Sequence, residues 1–268
     1  MVGPILIFDS GVGGLSVAKA LRHIYPQAAF CYACDNAWLP YGVRKDAELT
    51  ARIVKVCLAA VAACQPCVLV VACNTASTLA LEQLRAALTI PVVGTVPAIK
   101  PAAAISQTRH IALLATSATV RRPYTQQLID SFAKDCRITR VAADALVVEA
   151  ERWLGGHAPD QTRLNATLSP LWQAAKAAQP MDTVVLGCTH FPLMLPWLEK
   201  LSPVALNWVD SGAAIARRVG QVCGSFHTNA ADNRSFTTAP GLALQTGLAS
   251  YGFKAPLSLA LNTGSDQS

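Results

Sequence analysis

No apolar run in this sequence is long enough to cross a membrane. Its apolar stretches, such as residues 68–73, fall far short of the roughly 20 residues that a spanning helix needs. No basic leader and no cleavage site accompany the short apolar run at residues 1–8, so no secretory signal is read and a cytoplasmic protein is expected. Basic residues never gather into a long run with interleaved aromatics. They come singly or in pairs, as at Arg121-Arg122 and Arg217-Arg218, and no nucleic-acid partner is expected. Charged residues are scarce, 14% against 52% hydrophobic. That balance excludes global disorder and lets a chain of 268 residues build one large core or two smaller ones. A formal charge of +6 suits a small anionic substrate.

The nine cysteines are an odd number, which with no secretory signal predicts free thiols in a reducing compartment and no disulfide framework. Two CxxC pairs, Cys31–Cys34 and Cys64–Cys67, invite a zinc reading. Their contexts oppose it. The first pair lies in an apolar strand and the second flanks a helix-to-strand joint, whereas zinc ligands favour tight polar turns. No metal site is expected.

Apolar runs at residues 4–8, 29–34, 68–72 and 91–93 read as strands, and segments 15–25, 47–64 and 78–88 carry helical periodicity between them. The alternation resumes with a strand at 111–115, helices at 123–134 and 161–178, and a strand at 183–186. This is the pattern of an α/β fold whose parallel sheets are covered on both faces. The order also echoes itself. The run at 5–8 leads into Asp9-Ser10-Gly11 and a helix, and 111–115 leads into Thr116-Ser117 and a helix; 68–72 ends in Cys73-Asn74-Thr75, and 183–187 ends in Cys188-Thr189-His190. Two similar parallel-sheet domains with a pseudo-twofold relationship are expected, residues 1–97 with 209–268 and residues 98–208, facing each other across a cleft. The tail from residue 254 is expected to fray.

Ligands of open α/β sheets bind outside the carboxyl ends of the strands, where Asp9, Ser10, Cys73, Asn74, Thr75, Thr116, Cys188, Thr189 and His190 all fall. The glycine-rich turn Gly11-Val12-Gly13-Gly14 offers a dinucleotide-dependent oxidoreductase as a rival reading, but its third glycine would fall at Ser16, and Asp9 would set a carboxylate beside a pyrophosphate. A small anion held by backbone N–H groups and Ser10 suits the turn better. One cysteine at a strand end is ordinary core. Two at matching places in matching halves point to chemistry, since a thiol at a helix N-terminus is readily ionised.

The motifs 8–17, Pro40-Tyr41-Gly42, 72–77, 113–116 with Thr119-Val120, 186–193 and Asp210-Ser211-Gly212 resemble, in order, those of bacterial glutamate racemases in the aspartate/glutamate racemase family. The resemblance implies two α/β domains with glutamate between them and no cofactor. It implies that Cys73 removes the α-proton of D-glutamate and Cys188 that of L-glutamate, with Asp9, His190 and a glutamate assisting, which the motif matches to Glu149 with Glu151 two residues on as the alternative. Asp9, Ser10, Tyr41, Gly42, Asn74, Thr75, Thr116, Thr119, Thr189 and His190 are then the substrate's holders, and a homodimer is the assembly allowed for. It also ties the product, D-glutamate, to peptidoglycan synthesis and so to cell-wall biogenesis and cell shape. Racemisation removes hydrogen from one face of the α-carbon and returns it to the other, so two opposed bases need no swing of a single one. Pyridoxal phosphate, the common electron sink for such chemistry, needs a Schiff-base lysine, and none stands at these strand ends. A sister racemase acting on aspartate is the alternative within the family.

Overall fold

The first sheet grows from strands too apolar to leave either face in water. β1 (Ile5–Asp9), β2 (Phe30–Cys34) and β3 (Val68–Val71) are buried at every position. With β4 (Val92–Gly94), β9 (Arg234–Thr237) and β10 (Leu257–Ser258) they form a six-stranded sheet, ordered β10-β9-β2-β1-β3-β4. The second sheet is ordered β6-β5-β7-β8, from β5 (His110–Ala115), β6 (Arg137–Ala142), β7 (Thr183–Leu186) and β8 (Asn207–Val209). Every pairing in both is parallel. The computed structural model describes residues 2–229 and 233–261.

The echo in the sequence is an echo in topology. β2-β1-β3-β4 and β6-β5-β7-β8 are the same strand order, with β9 and β10 added at one edge of the first. In each half the chain leaves the first strand in one direction and the third in the other, so the switch point falls between β1 and β3, and again between β5 and β7. Apolar side chains pack on both faces of each sheet, Leu6, Phe8 and Leu69 on one face of the first, Ile5, Ile7 and Val70 on the other.

Several elements differ from the sequence expectations. The helix expected at 78–88 begins four residues earlier, at Asn74–Ala87, which makes Cys73 its N-cap. The edge strand β6, the inner strand β9 and the helix Asp144–Leu154 go beyond the sequence expectations. Val209, placed by the sequence in the first half, pairs with Val185 in the second sheet, and the crossing back follows it, where the helix Gly212–Val222 packs on Leu15–Ile24. Part of the expected frayed tail is ordered: Leu257 pairs with Phe236, and Leu259 N–H donates to Thr237 O (2.8 Å). Residues 262–268 lie outside the described residues.

The expectation that all nine cysteines stay free is also corrected. Cys31 and Cys64 are joined as a disulfide, and the other seven are free. The two partners belong to different CxxC pairs, and packing of the helix Asp46–Cys64 on the sheet sets the end of that helix beside β2. Sequence spacing carries no trace of that juxtaposition. Among the described residues no helix is long and apolar enough to cross a membrane.

Candidate active site

The two switch points face each other, and the residues at their strand ends close one cleft. It is lined from the first half by Ser10, Tyr41, Gly42, Cys73, Asn74 and Thr75, and from the second by Thr116, Thr119, Cys188, Thr189 and His190, with Leu39, Pro40 and Val147. All the expected holders line it except Asp9, which lies fully buried beneath. The cleft encloses about 30 Å³, room for about two waters.

Asp9 ties the halves together. Its Oδ1 accepts from Gly11 N–H (2.9 Å) and Ser10 Oγ (3.3 Å), and its Oδ2 accepts from Thr189 Oγ1 across the cleft (2.9 Å). Ser16 Oγ, one turn on, donates to Thr189 O (2.8 Å). Burial raises the Asp9 carboxyl from 3.8 to about 6, although His190 and the hydrogen bonds from Gly11 and Thr189 pull the other way.

The two thiols have different surroundings. Cys73 caps the helix Asn74–Ala87 and has Ser10 Oγ 3.9 Å from its sulfur. A helix N-terminus favours thiolate, but here burial dominates. Desolvation and then the Asp9 charge push this thiol far up, against the Ala76 N–H. Cys188 precedes a 3₁₀ turn, Phe191–Met194, and its sulfur lies 3.7 Å from His190 Nδ1. Burial would lower the His190 imidazole, but hydrogen bonds to Cys188 and Glu151 prevail and raise it well above the usual histidine range. His190 donates from Nε2 to Glu151 Oε1 (2.7 Å).

The structure gives Glu151 the position expected of Glu149. Glu149 is fully buried on the other side of its helix, accepting from Arg163 Nη1 (3.0 Å) and Asp160 N–H (2.9 Å), with Arg152 at 3.8 Å. Two residues on, the helix turns Glu151 to the opposite half, where Oε1 also accepts from Val12 N–H (2.8 Å). Glu151→Gln should lower turnover about tenfold or more while leaving the urea midpoint nearly unchanged. Glu149→Gln should do the reverse, losing about 1–3 kcal/mol of stability from a buried charge-assisted network. Steady-state kinetics and urea titration of both variants check the pair.

The remaining holders are polar and mostly neutral. Thr116 caps the helix Ser117–Arg121, and its hydroxyl donates to Thr119 Oγ1 (3.1 Å). Asn74 Oδ1 is buried with no hydrogen-bond partner, an acceptor suited to an ammonium group. Tyr41 is fixed by donating to Asp35 Oδ2 (2.9 Å), which also pairs with Arg52. Asp35 thus positions a cleft residue. A missed pair, Arg122 with Asp46 (3.0 Å), joins the two halves by a bidentate ion pair. No lysine lines the cleft, and among the described residues no group of His, Cys, Asp or Glu could hold a metal ion.

The family model described as Asp/Glu/Hydantoin racemase matches residues 15–219. A glutamate racemase of Shewanella piezotolerans is 48% identical over 219 residues, 82% of this chain and 80% of that protein. One from Shewanella halifaxensis is 43% identical over 262 residues, 94% of this chain and 96% of its own length. Among solved structures, Escherichia coli glutamate racemase in complex with L-glutamate and the activator UDP-MurNAc-Ala superposes with a TM-score of 0.91 at 41% identity, covering 97% of this chain and 99% of that one. The glutamate racemase of Aquifex pyrophilus superposes with a TM-score of 0.73 at 28% identity, covering 96% and 98%.

Proposed function

The chain belongs to the Asp/Glu/Hydantoin racemase family, and from that premise we propose that its cleft inverts glutamate between two thiols. It is an amino-acid racemase, an isomerase, that interconverts L- and D-glutamate and supplies D-glutamate to peptidoglycan synthesis. The observation that carries the residue roles is the pair Cys73 and Cys188, brought by two copies of one strand order to the two walls of one cleft.

Cys188 takes the α-proton of L-glutamate, and Cys73 delivers one to the opposite face; the reverse reaction exchanges the roles. His190, held by Glu151, stands beside Cys188 to stabilise the charge that develops as the thiol exchanges its proton. Cys73, pushed up by burial and Asp9, stands ready as the acid when L-glutamate binds. When D-glutamate binds instead, its ammonium group enters beside Cys73, above the buried Asp9 carboxylate, and favours the thiolate. The substrate carboxylates meet backbone N–H groups and hydroxyls from Ser10, Asn74, Thr75, Thr116, Thr119 and Thr189, which also steady charge developing on the α-carboxylate. Residues 1–97 with 210–268 and residues 98–209 form the two walls. We assign the reaction to the cytoplasm because both reacting thiols must stay reduced.

Circular dichroism of each glutamate enantiomer with purified protein tests the reading. After exhaustive dialysis against a chelator, both enantiomers should decay at full rate to the racemate, and D-aspartate should turn over far more slowly. Activity that returned only with added metal or pyridoxal phosphate would remove the cofactor-free mechanism. Faster turnover of aspartate would move the substrate.

A further inference from the structure

Tyr32 lies at the centre of β2 with no surface exposed, and its phenol reaches the glycine turn from within the core. The hydroxyl donates to Gly11 O at 2.7 Å, the one hydrogen bond that this carbonyl makes among the described residues. The carbonyl of Gly11 and the N–H of Val12 belong to one planar peptide unit. That N–H donates to Glu151 Oε1, which accepts from His190, whose other ring nitrogen faces Cys188. We propose that Tyr32 is a positioning residue for the Cys188 half of the reaction, locking the 11–12 peptide plane so that its N–H holds Glu151 against His190.

The need for such a lock follows from the glycine. A Cβ at Gly11 would collide with Glu151 Oε1, so only glycine lets the carboxylate approach. Gly11 does not lie in the left-handed region, so close approach, rather than backbone conformation, is what demands glycine here. The same lack of a Cβ leaves the adjoining plane with little steric resistance to turning over. A turned plane would aim the Gly11 carbonyl at the Glu151 carboxylate, exchanging attraction for repulsion. The Tyr32 hydroxyl opposes this from below, and by polarising the carbonyl it strengthens the N–H on the far side. Its ring is anchored independently, 5.4 Å from Phe253 and among the packed core residues of the first half. Removing the oxygen alone therefore leaves the packing in place.

The inference rests on the two-thiol reading of the cleft, and the test separates the two. β-Chloro-substituted glutamate enantiomers lose halide after proton removal by one thiol alone, so each enantiomer reports on one half of the site. Tyr32→Phe should slow halide loss from the enantiomer served by Cys188 about tenfold, the scale of one lost hydrogen bond. Loss from the other enantiomer should stay within about twofold. Combined with Glu151→Gln, Tyr32→Phe should add less than about twofold, because both act through one contact. Equal slowing of both enantiomers would reduce Tyr32 to general packing and overturn the proposal, as would losses that multiply in the double variant. If the unaltered protein inverted no glutamate, the racemase reading would fail first, visibly and apart from any Tyr32 effect.

Discussion

Cys73→Ser and Cys188→Ser should each abolish inversion of glutamate, lowering kcat/KM by about 10³-fold or more, yet fail on opposite enantiomers. A serine hydroxyl is far less acidic than a thiol and makes a poor base near neutral pH, and the loss of a positioned base is worth about 10²–10⁴-fold. Inversion needs both walls of the cleft, so one substitution suffices to stop it. Halide loss from a β-chloro analogue needs one wall only. Cys188→Ser should keep it with the D-configured analogue and Cys73→Ser with the L-configured one. In heavy water the unaltered enzyme should give product that carries deuterium from its first appearance, while unreacted substrate gains little. Robust racemisation by either single variant would end the two-base mechanism. Halide loss from the opposite enantiomer in both variants would keep the mechanism and exchange the faces assigned to the two thiols.

The thiols could be read from the sequence because the strands that carry them, β3 and β7, are buried at every position. A run such as Val68-Leu69-Val70-Val71 has few other uses, and the residue beyond its end falls where sheets bind ligands. Strands β6 and β9 gave no such signal. β6, at the edge of its sheet, is buried only at Val141 and includes Arg137 and Arg140, and β9 opens on the part-exposed Arg234. The helix Asp144–Leu154 did leave a trace, with Leu146, Val147, Ala150 and Leu154 buried at helical spacing. Reading that period would have shown that Glu149 and Glu151 point to different sides. Which side faces the other half depends on how two sheets dock, and no local pattern contains that. The same holds for Tyr32, which in the sequence is one more apolar strand residue, and for the union of Cys31 with Cys64.

Asp9→Asn should stabilise the protein at neutral pH while slowing it about 10²-fold. At pH 7 the native carboxyl, raised from 3.8 to about 6, is mostly ionised in a site that excludes water. A native acid held above its unfolded value binds its proton more tightly when folded. Its stabilising contribution is complete below about pH 4 and is lost as pH rises through about 6, amounting to about 3 kcal/mol for such a displacement. Asparagine keeps the shape. Its oxygen still accepts from Gly11 N–H, and its amide donates to Thr189 Oγ1, which has a free lone pair. The variant should therefore unfold at higher urea than the unaltered chain at pH 7.5, by up to about 3 kcal/mol, with the difference fading toward pH 4 as the native carboxyl takes up its proton. Turnover should fall because the neutral amide no longer draws the substrate ammonium against Cys73, and the effect should lie in kcat more than in KM. A variant less stable than the unaltered protein at pH 7.5 would mean that the Asp9 charge is compensated by His190 and its donors. Unchanged turnover with only a raised KM would make Asp9 a binding group and take the ionisation of Cys73 out of its charge.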